Sequence, residues 1–270
     1  HFTFERPNER YTIDGMALQK AIDPTGSPSQ NATLGRPFLG HVERSKASFN
    51  ETVIIMDMTE LDSSVSRMNI LRDEVSFLLS NYRNKAMGPQ PQSGNETEQS
   101  ATELEIIVVL ESPGGSAADY ALASQQVLRL SNEPGIKVTL CVDKVAASGG
   151  YMIACTSSPG RLFAAPFAVL GSIGVIGQSF NIQKTLEGWG VKPLVFRGGR
   201  DKAPVGLIGE VTKEGLAKVQ DMVDDTHRAF KRHVVSARPI VADRIEDLAT
   251  GDVWLGYDAL DVGLVDRIVT

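Results

Sequence analysis

The segment LEIIVVLESPGGSAADYALASQQVLRLSNEPGIKVTLCVDK, residues 104–144, predicts how this chain folds. It opens with an apolar run of strand length, and residues 116–132 then repeat apolar side chains at helical spacing before a turn at Pro134. A second apolar run follows at 136–144. Two strands that are apolar on both faces and joined through a helix are typical of a parallel sheet covered by helices. We therefore expect an α/β protein.

The same alternation continues on both sides of this unit. Upstream, residues 52–58 predict a buried strand, and residues 64–82 repeat apolar side chains at helical spacing. The downstream sequence predicts a short helix at 148–158, short strands within 161–177, a helix at 180–190, a strand at 191–198 and a long helix at 213–238. The whole pattern indicates a mostly parallel sheet built from repeated strand and helix units.

Composition divides the chain into an arm and a folded domain. Residues 1–50 are polar and scattered with Pro, Gly, Ser and Asn, so we expect an irregular N-terminal arm. The folded domain is expected to span residues 51–270. Within it, residues 83–103 are poor in apolar side chains and rich in Pro, Gln, Ser and Gly, which predicts a flexible insertion.

Charge and composition exclude several classes of partner. The formal net charge is −6 and no basic patch stands out, so no nucleic-acid partner is expected. No apolar run reaches about 18 residues, so we expect no membrane-spanning helix inside this sequence. The sequence begins at His1, and we expect any sorting or anchoring segment to lie upstream. Cys141 and Cys155 stand in apolar segments and are interpreted as small buried side chains.

A serine stands where a short strand meets the short helix, in KVAASGGYMIACTSS, residues 144–158. The turn places Ser148 at a helix N-terminus, where backbone N–H groups lack partners and negative charge is stabilised. A hydroxyl there can attack a carbonyl while the N–H groups hold the oxyanion, and Gly149 and Gly150 let a substrate approach the backbone. The competing interpretation is that Ser148 only caps the helix, and this stretch alone favours the cap.

A second glycine turn shifts the balance toward chemistry. The stretch SPGGS, residues 112–116, also joins a strand to a helix. In a parallel sheet both turns lie at the carboxyl ends of strands, where ligands bind. Gly114 and Gly115 can therefore present N–H donors to the same spot as Ser148. The alternative is a tight turn that needs glycine for its conformation alone.

A serine nucleophile needs a base, and no histidine has the right setting. The four histidines lie in the predicted arm or six residues apart on the long helix, which suits neither a catalytic triad nor a metal pair. A neutral lysine can take this role, and Lys202 in FRGGRDKAPVGLIG follows a predicted strand and two glycines. Two alternatives stay open: Lys202 is an ordinary surface lysine, or Lys144 is the base. We expect no metal and no cofactor.

Several motifs in order resemble one known family. VDKVAASGGYMIAC, FAAPFAVLGSIGVIGQ and LESPGGSAADYALASQQVLRL, together with DTHRAFKRHVVSARP and LATGDVWLGYDALDVGLVDRI, closely resemble the signal peptide peptidase A family. Within it, the SohB-type proteases are the most similar. The resemblance covers roughly residues 52–270. It implies the ClpP/crotonase fold, a spiral of ββα units, and makes the folded domain a protease domain.

The resemblance also implies a serine endopeptidase with a Ser/Lys dyad. Ser148 corresponds to the nucleophile and Lys202 to the general base. The oxyanion donors would be the backbone N–H groups of Gly149 and of Gly114 or Gly115.

Further expectations follow from the same resemblance. Gly171 and Ser172 of GSIGV would line the site, and Ser172 would be placed to hydrogen-bond the lysine. The substrates would be apolar peptides such as cleaved signal peptides, at or near the non-cytoplasmic side of a membrane. The family's membrane anchor does not occur in this sequence, so membrane association would depend on an upstream segment. Homo-oligomers are expected, with a dyad that neighbouring subunits can complete.

Two other functions are compatible with these motifs. A crotonase-like enzyme acting on acyl-CoA thioesters would share the fold and the paired glycine donors but would not need Ser148. A ring-forming scaffold would keep the fold and lack the chemistry altogether.

Overall fold

The computed structural model describes residues 39–44, 52–59, 65–86, 104–199 and 201–269. In chain order the strands are β1 (Leu39–Arg44), β2 (Thr52–Met58), β3 (Leu104–Leu110), β4 (Ile136–Val142), β5 (Val145–Ala147), β6 (Leu162–Ala164), β7 (Val169–Gly171), β8 (Val253–Leu255) and β9 (Arg267–Ile268). The α-helices are α1 (Val65–Ala86), α2 (Ala117–Ser131), α3 (Gly149–Ala154), α4 (Gln183–Gly188), α5 (Lys213–Ala237), α6 (Ile245–Leu248) and α7 (Gly256–Asp261), with a 3-10 turn at Pro239–Arg244.

The strands form two sheets. The main sheet has the order β1-β2-β3-β4-β6-β9, and every neighbouring pair is parallel except β1 with β2. The small sheet has the order β5-β7-β8, in which β7 is parallel to β5 and antiparallel to β8. A single parallel bridge between Ser112 and Ala146 connects the turn after β3 with the small sheet. The predicted α/β class with a mostly parallel sheet, consistent with a ClpP/crotonase-like fold, is confirmed.

The core lies on one face of the main sheet. Alternate residues of β3 are buried, from Leu104 to Leu110, and residues of β2 and β4 in register with them are buried too. The apolar stripes of α1 and α2 pack on this face, where each fully buried aliphatic side chain contributes roughly 1.5–3 kcal/mol. The side chains between them on β3, such as Ile107 and Val109, are only half-buried. Among the described residues, the predicted cover of helices is therefore seen on the face of the main sheet that carries the core.

Two predicted boundaries differ from the structure. Residues 39–44 of the predicted irregular arm form β1, which pairs with β2; the rest of residues 1–50 lies outside the described residues. Helix α1 continues to Ala86, so residues 83–86 of the predicted insertion are helical, and residues 87–103 lie outside the described part. The apolar stripe that defines the helix on sequence ends before its last turn, because that turn is exposed at Arg83 and Asn84 and needs no apolar side chain. The division into an arm and one domain otherwise stays a prediction.

The predicted strand at 191–198 is wrong. Residues 191–199 have no regular strand structure, and most of them are exposed. A strand is stabilised by a neighbour that pairs with its backbone, and none of the described strands pairs with this stretch. The apolar side chains of Leu194 and Phe196 are instead exposed.

None of the helices among the described residues has both the length and the apolar character that crossing a membrane requires.

Candidate active site

Ser148 lies between β5 and α3 in an unusual backbone conformation. Its φ is 53° and its ψ −120°, a combination that costs a non-glycine residue on the order of 1–3 kcal/mol. The backbone is held there because the Ser148 N–H donates to the Gly171 carbonyl at 2.8 Å and its carbonyl accepts from Met152 N–H at 3.1 Å. The side chain makes no capping hydrogen bond to α3. Ser148 therefore occupies the N-cap position of α3 without the side-chain hydrogen bond of a capping serine, and its hydroxyl is left available.

Gly114 lies directly against the Ser148 turn. A Cβ on Gly114 would come within 2.7 Å of Ser148 Cβ, 2.8 Å of Gly149 N and 2.9 Å of Ala147 O. Its φ of 97° is also one that side-chain-bearing residues rarely adopt. Glycine is thus required here both for conformation and for space. The two glycine turns meet at Ser148, as the sequence predicted.

Ser112 and Tyr120 pack against the two glycine turns. Neither residue was identified from the sequence. A Cβ on Gly149 would fall 2.4 Å from Tyr120 Cγ, so the Tyr120 ring lies against this glycine. A Cβ on Gly150 would fall 2.3 Å from the Ser112 carbonyl oxygen. The Tyr120 hydroxyl and Ser112 Oγ are hydrogen-bonded at 2.8 Å, and both residues are buried. The only sequence feature that could have indicated this contact was Ser112 itself, the serine at the start of the SPGGS turn.

Free N–H groups on both turns point to an anion site. Gly149 is the first residue of α3, so its N–H has no intrahelical partner. The Gly114 N–H donates to Ser112 Oγ at 3.3 Å, a long hydrogen bond within its own turn. The Gly115 N–H makes no hydrogen bond to any described residue. Of the two glycines predicted on this turn, Gly115 is therefore the one with an available donor.

Gly171 contacts Ser148 directly, and Ser172 follows it in the chain. Gly171 pairs with Ala147 across β5 and β7, and its carbonyl accepts the Ser148 N–H. The φ of Ser172 is 48°, and its Oγ is 3.4 Å from the Gly251 carbonyl oxygen. Ser172 makes no hydrogen bond to Lys202 within the chain. Gly171 therefore contacts the Ser148 turn, the lining role of Ser172 stays a prediction, and the expected contact of Ser172 with the lysine is not made in a single chain.

Lys144, the alternative base, has its side chain at Glu111. Lys144 Nζ lies 2.9 Å and 3.2 Å from the two carboxylate oxygens of Glu111, which follows β3. The ion pair is largely exposed, and it directs the nitrogen to this carboxylate and not to the Ser148 hydroxyl.

Lys202 lies in a different surface region. It is exposed, its N–H donates to the Gly199 carbonyl at 3.2 Å, and the next residue, Ala203, has a φ of 50°. No hydrogen bond joins Lys202 to Ser148 within the described chain. Lys202 lines an open cavity of about 560 Å³, whose other lining residues are Leu194, Val195, Phe196, Arg197, Gly198, Ala203, Gly206, Leu207 and Ile208. The structure of a single chain therefore does not bring the two predicted catalytic side chains together.

The segment that carries Lys202 contributes no fully buried residue to the core, although Val175 at its start packs against the core. From Gly174 to Glu214, no described residue is buried. Its apolar side chains include Ile176, Phe180, Trp189, Leu194, Phe196 and Leu207, all more than half exposed. Exposed apolar side chains grouped in one segment are typical of a site of association with another protein or a membrane.

Other nucleophiles and metal ligands near the Ser148 turn are poor candidates. Burial raises the pKa of the Cys155 thiol to about 12 and that of Cys141 to about 11, so both stay protonated at neutral pH. His233 Nε2 lies 2.8 Å from the Met152 carbonyl oxygen, which fastens α5 to α3. The described residues contain no group of three or more side chains suited to hold a metal ion.

Comparisons with known proteins place the chain in a family. A family model described as peptidase family S49 matches residues 131–270. The chain is 39% identical over 209 residues to a probable protease SohB of Haemophilus influenzae, covering 77% of this chain and 53% of that protein. It is 42% identical over 166 residues to a probable protease SohB of Buchnera aphidicola, covering 62% of this chain and 53% of the relative. A putative protease of Synechocystis is 29% identical over 205 residues, covering 76% and 71%.

These matches define the protein family. The chain belongs to peptidase family S49, with the SohB-type proteases among its relatives. The predicted resemblance is confirmed. The chain spans about half the length of the SohB relatives that it matches.

Proposed function

We propose that the chain is a serine endopeptidase in which Ser148 is the nucleophile and Lys202 the general base. The observation that carries the proposal is the Ser148 hydroxyl, held in a strained turn without a capping bond, where the Gly114 and Gly149 turns meet. Strained, uncommitted side chains beside unpaired N–H groups are typical of catalytic nucleophiles. Membership of a peptidase family makes a peptide carbonyl the natural target.

The reaction begins with attack of Ser148 Oγ on the peptide carbonyl carbon while the Lys202 amine accepts the hydroxyl proton. The oxyanion that forms accepts hydrogen bonds from the Gly149 and Gly115 N–H groups, and one such donor contributes about 3 kcal/mol of transition-state stabilisation. The lysine ammonium then protonates the leaving amine. Water hydrolyses the acyl-enzyme: the same lysine takes a proton from that water and returns it to Ser148 Oγ as the ester bond breaks.

A second copy of the chain supplies the lysine in this proposal. Two observations support it: Lys202 is exposed and not bonded to Ser148, and the segment around it presents unburied apolar side chains. A base needs an uncharged amine, and removal from water favours that form of a lysine. Docking of this segment on a neighbour's Ser148 turn would bury the apolar side chains and remove the amine from water together. The proposed active form is therefore a homo-oligomer.

The proposed substrates are apolar peptides, including remnant signal peptides. The cavity beside Lys202 is lined mainly by apolar side chains, among them Leu194, Phe196 and Leu207, which suit apolar substrate residues. We place the reaction at or near the non-cytoplasmic side of a membrane. A segment beyond this sequence would provide the membrane association.

The test uses Ser148→Ala and Lys202→Ala, separately and co-expressed. Each variant alone is expected to lose peptide hydrolysis by at least about 10³-fold, because neither retains a complete dyad. Co-expression is expected to restore activity to at most about one quarter of wild type, since a crossed site forms only where an intact Ser148 meets an intact Lys202 from the next copy. Hydrolysis of an apolar peptide is measured at matched oligomeric state.

Each contrary result has a defined meaning. Hydrolysis that survives Ser148→Ala rejects the serine mechanism, and turnover of an acyl-CoA by that variant indicates a crotonase-like enzyme instead. Activity that survives Lys202→Ala returns Lys144 as the candidate base. Two inactive variants that do not complement each other place both residues of the dyad in one chain. Failure of the wild-type oligomer to react with a fluorophosphonate probe indicates a scaffold.

A further inference from the structure

We propose that Ser112 and Tyr120 are positioning residues that set the distance between the two N–H-bearing turns of the oxyanion site. The proposal rests on the function proposed above, because it concerns how that same site is held. Neither side chain would contact the reacting atoms. Each contacts one or both of the turns whose N–H groups would bind the oxyanion. The pair would thus control transition-state binding without contributing a catalytic group.

Tyr120 reaches both turns through different parts of its side chain. Its ring lies under Gly149, where a Cβ would fall 2.4–2.9 Å from ring and Cβ atoms of the tyrosine. Its hydroxyl is hydrogen-bonded to Ser112 Oγ at 2.8 Å, and Ser112 Oγ accepts the Gly114 N–H. Tyr120 is 1% exposed. The Tyr120 side chain therefore links the Gly149 turn to the Gly114 turn through Ser112.

Ser112 fixes the second turn to the strand that precedes the nucleophile. Its N–H donates to the Val145 carbonyl at 2.9 Å, and its carbonyl accepts from Ala147 N–H at 3.1 Å. These bonds hold the start of the SPGGS turn to β5, one residue before Ser148. The Ser112 hydroxyl then holds the Gly114 N–H inside the turn, which leaves the Gly115 N–H as the outward donor.

The geometry matters because an oxyanion site is effective only when its donors are already in place. Donors must lie within about 3 Å of the oxygen as it becomes charged, and a misplacement on the order of 1 Å can lower the rate about hundredfold. Gly114 and Gly115 have no side chains to hold the turn. The only side chain of the turn that bonds to its backbone is that of Ser112, which is anchored by Tyr120. Loss of either hydroxyl would let the Gly115 N–H drift relative to the Gly149 N–H.

The test is Tyr120→Phe, which keeps the ring under Gly149 and removes only the hydroxyl, with Ser112→Ala as a second variant. We expect kcat to fall about tenfold to hundredfold, while KM changes by less than about twofold. A peptide aldehyde, which adds Ser148 to form a tetrahedral oxyanion, should bind more weakly by the same factor as the loss in kcat. The corresponding peptide alcohol, which forms no oxyanion, should bind as it does to wild type. The double variant should lose no more than the worse single variant, because the hydroxyls act as one unit.

Tyr151→Phe is the matched control. Tyr151 is also fully buried, and its hydroxyl also makes a 2.8 Å hydrogen bond, but to the Leu264 carbonyl, away from both turns. The control should lower the melting temperature by an amount similar to Tyr120→Phe and leave kcat and aldehyde affinity unchanged. If Tyr120→Phe does not fold, Ser112→Ala alone decides the question.

The outcomes separate this proposal from the one on which it rests. If Ser148→Ala is inactive while Tyr120→Phe and Ser112→Ala lose no more kcat or aldehyde affinity than Tyr151→Phe, the positioning roles are wrong and the serine mechanism stands. If Ser148→Ala still hydrolyses peptides, both proposals are overturned. Parallel losses in kcat and aldehyde affinity, with the alcohol unaffected, support both.

Discussion

The Ser148 turn and the Lys202 segment carry the two halves of the proposed dyad, and they are built in opposite ways. Around Ser148, Gly149 and Gly150 are buried and Gly114 is so confined that a single added carbon would collide with backbone. Around Lys202, no described residue from Gly174 to Glu214 is buried, and a Cβ added at Gly190 or Gly199 would meet nothing within 4 Å. One chain therefore determines the position of the nucleophile completely, but it does not determine the position of the base.

This difference suggests a division of tasks. A nucleophile with its oxyanion donors requires placement within a fraction of an ångström, which a packed core provides. The base has a long, flexible side chain and must be removed from water, which a protein–protein contact provides. In the proposed assembly, the packed turn of one copy would receive the open segment of another, and catalysis would begin only when that contact forms.

Two glycine substitutions are expected to show the largest difference between the Ser148 turn and the Lys202 segment. Gly114 and Gly190 both have positive φ, 97° and 78°, but only Gly114 is crowded. Gly114→Ala should lower peptide hydrolysis at least about hundredfold and the free energy of unfolding by about 2–5 kcal/mol, from strain and overpacking together. Gly190→Ala should cost only the backbone strain of about 1–2 kcal/mol. Urea denaturation and peptide hydrolysis measure both effects; equal losses in the two variants would show that the turn is not as crowded as described.

Two phenylalanines test the same contrast in packing. Phe230 on α5 is 3% exposed, whereas Phe196 in the Lys202 segment is 91% exposed. Phe230→Ala should lower the free energy of unfolding by about 3–5 kcal/mol because it leaves a cavity. Phe196→Ala should change the unfolding of the dissociated chain by less than about 0.5 kcal/mol but weaken self-association. Denaturation at low protein concentration and analytical ultracentrifugation separate the effects; an unchanged oligomer with Phe196→Ala would remove Phe196 from the proposed contact.

The smallest expected effect is a pH dependence of the free energy of unfolding that comes from a buried thiol at the end of α3. Cys155 directly follows α3, and burial raises the pKa of its thiol to about 12. Unfolding returns this pKa to about 8.5, so the stabilisation is present below that pH and is lost as pH rises through the window up to about 12. By pH 10 the loss should be about 2 kcal/mol in the free energy of unfolding. Cys155→Ala should remove this part of the decline between pH 8 and pH 10; the same slope in both proteins would contradict the burial.

Much of the fold could be predicted because it depends on local patterns. The strands β2, β3 and β4 and the helices α2 and α5 follow from apolar runs and helical spacing alone. The strand predicted at 191–198 was wrong because an apolar run does not by itself make a strand. A strand also needs a neighbouring strand that pairs with its backbone, and none of the described strands pairs with this segment. The 39–44 strand was missed since its sequence is polar and its pairing with β2 is what makes it a strand.

The candidate site was predictable to a similar degree. The approach of the Gly114 turn to Ser148 could be predicted because turn residues at the carboxyl ends of parallel strands carry a recognisable pattern, while the catalytic role of Ser148 stays a prediction. Ser112 and Tyr120 were missed, since the contact of a tyrosine ring with a glycine of another element has no signature in either local sequence. Lys202 stays a prediction, because the proposed partner surface for it belongs to a second copy of the chain.

The backbone of Ser148 has a consequence for how this chain can evolve. A glycine at position 148 would adopt a φ of 53° and a ψ of −120° without the strain that the serine bears. Under the proposed mechanism, a lineage released from selection for hydrolysis would therefore gain stability by replacing the serine with glycine. A serine retained at this strained backbone position would therefore distinguish catalytically active members of such a lineage from inactive ones.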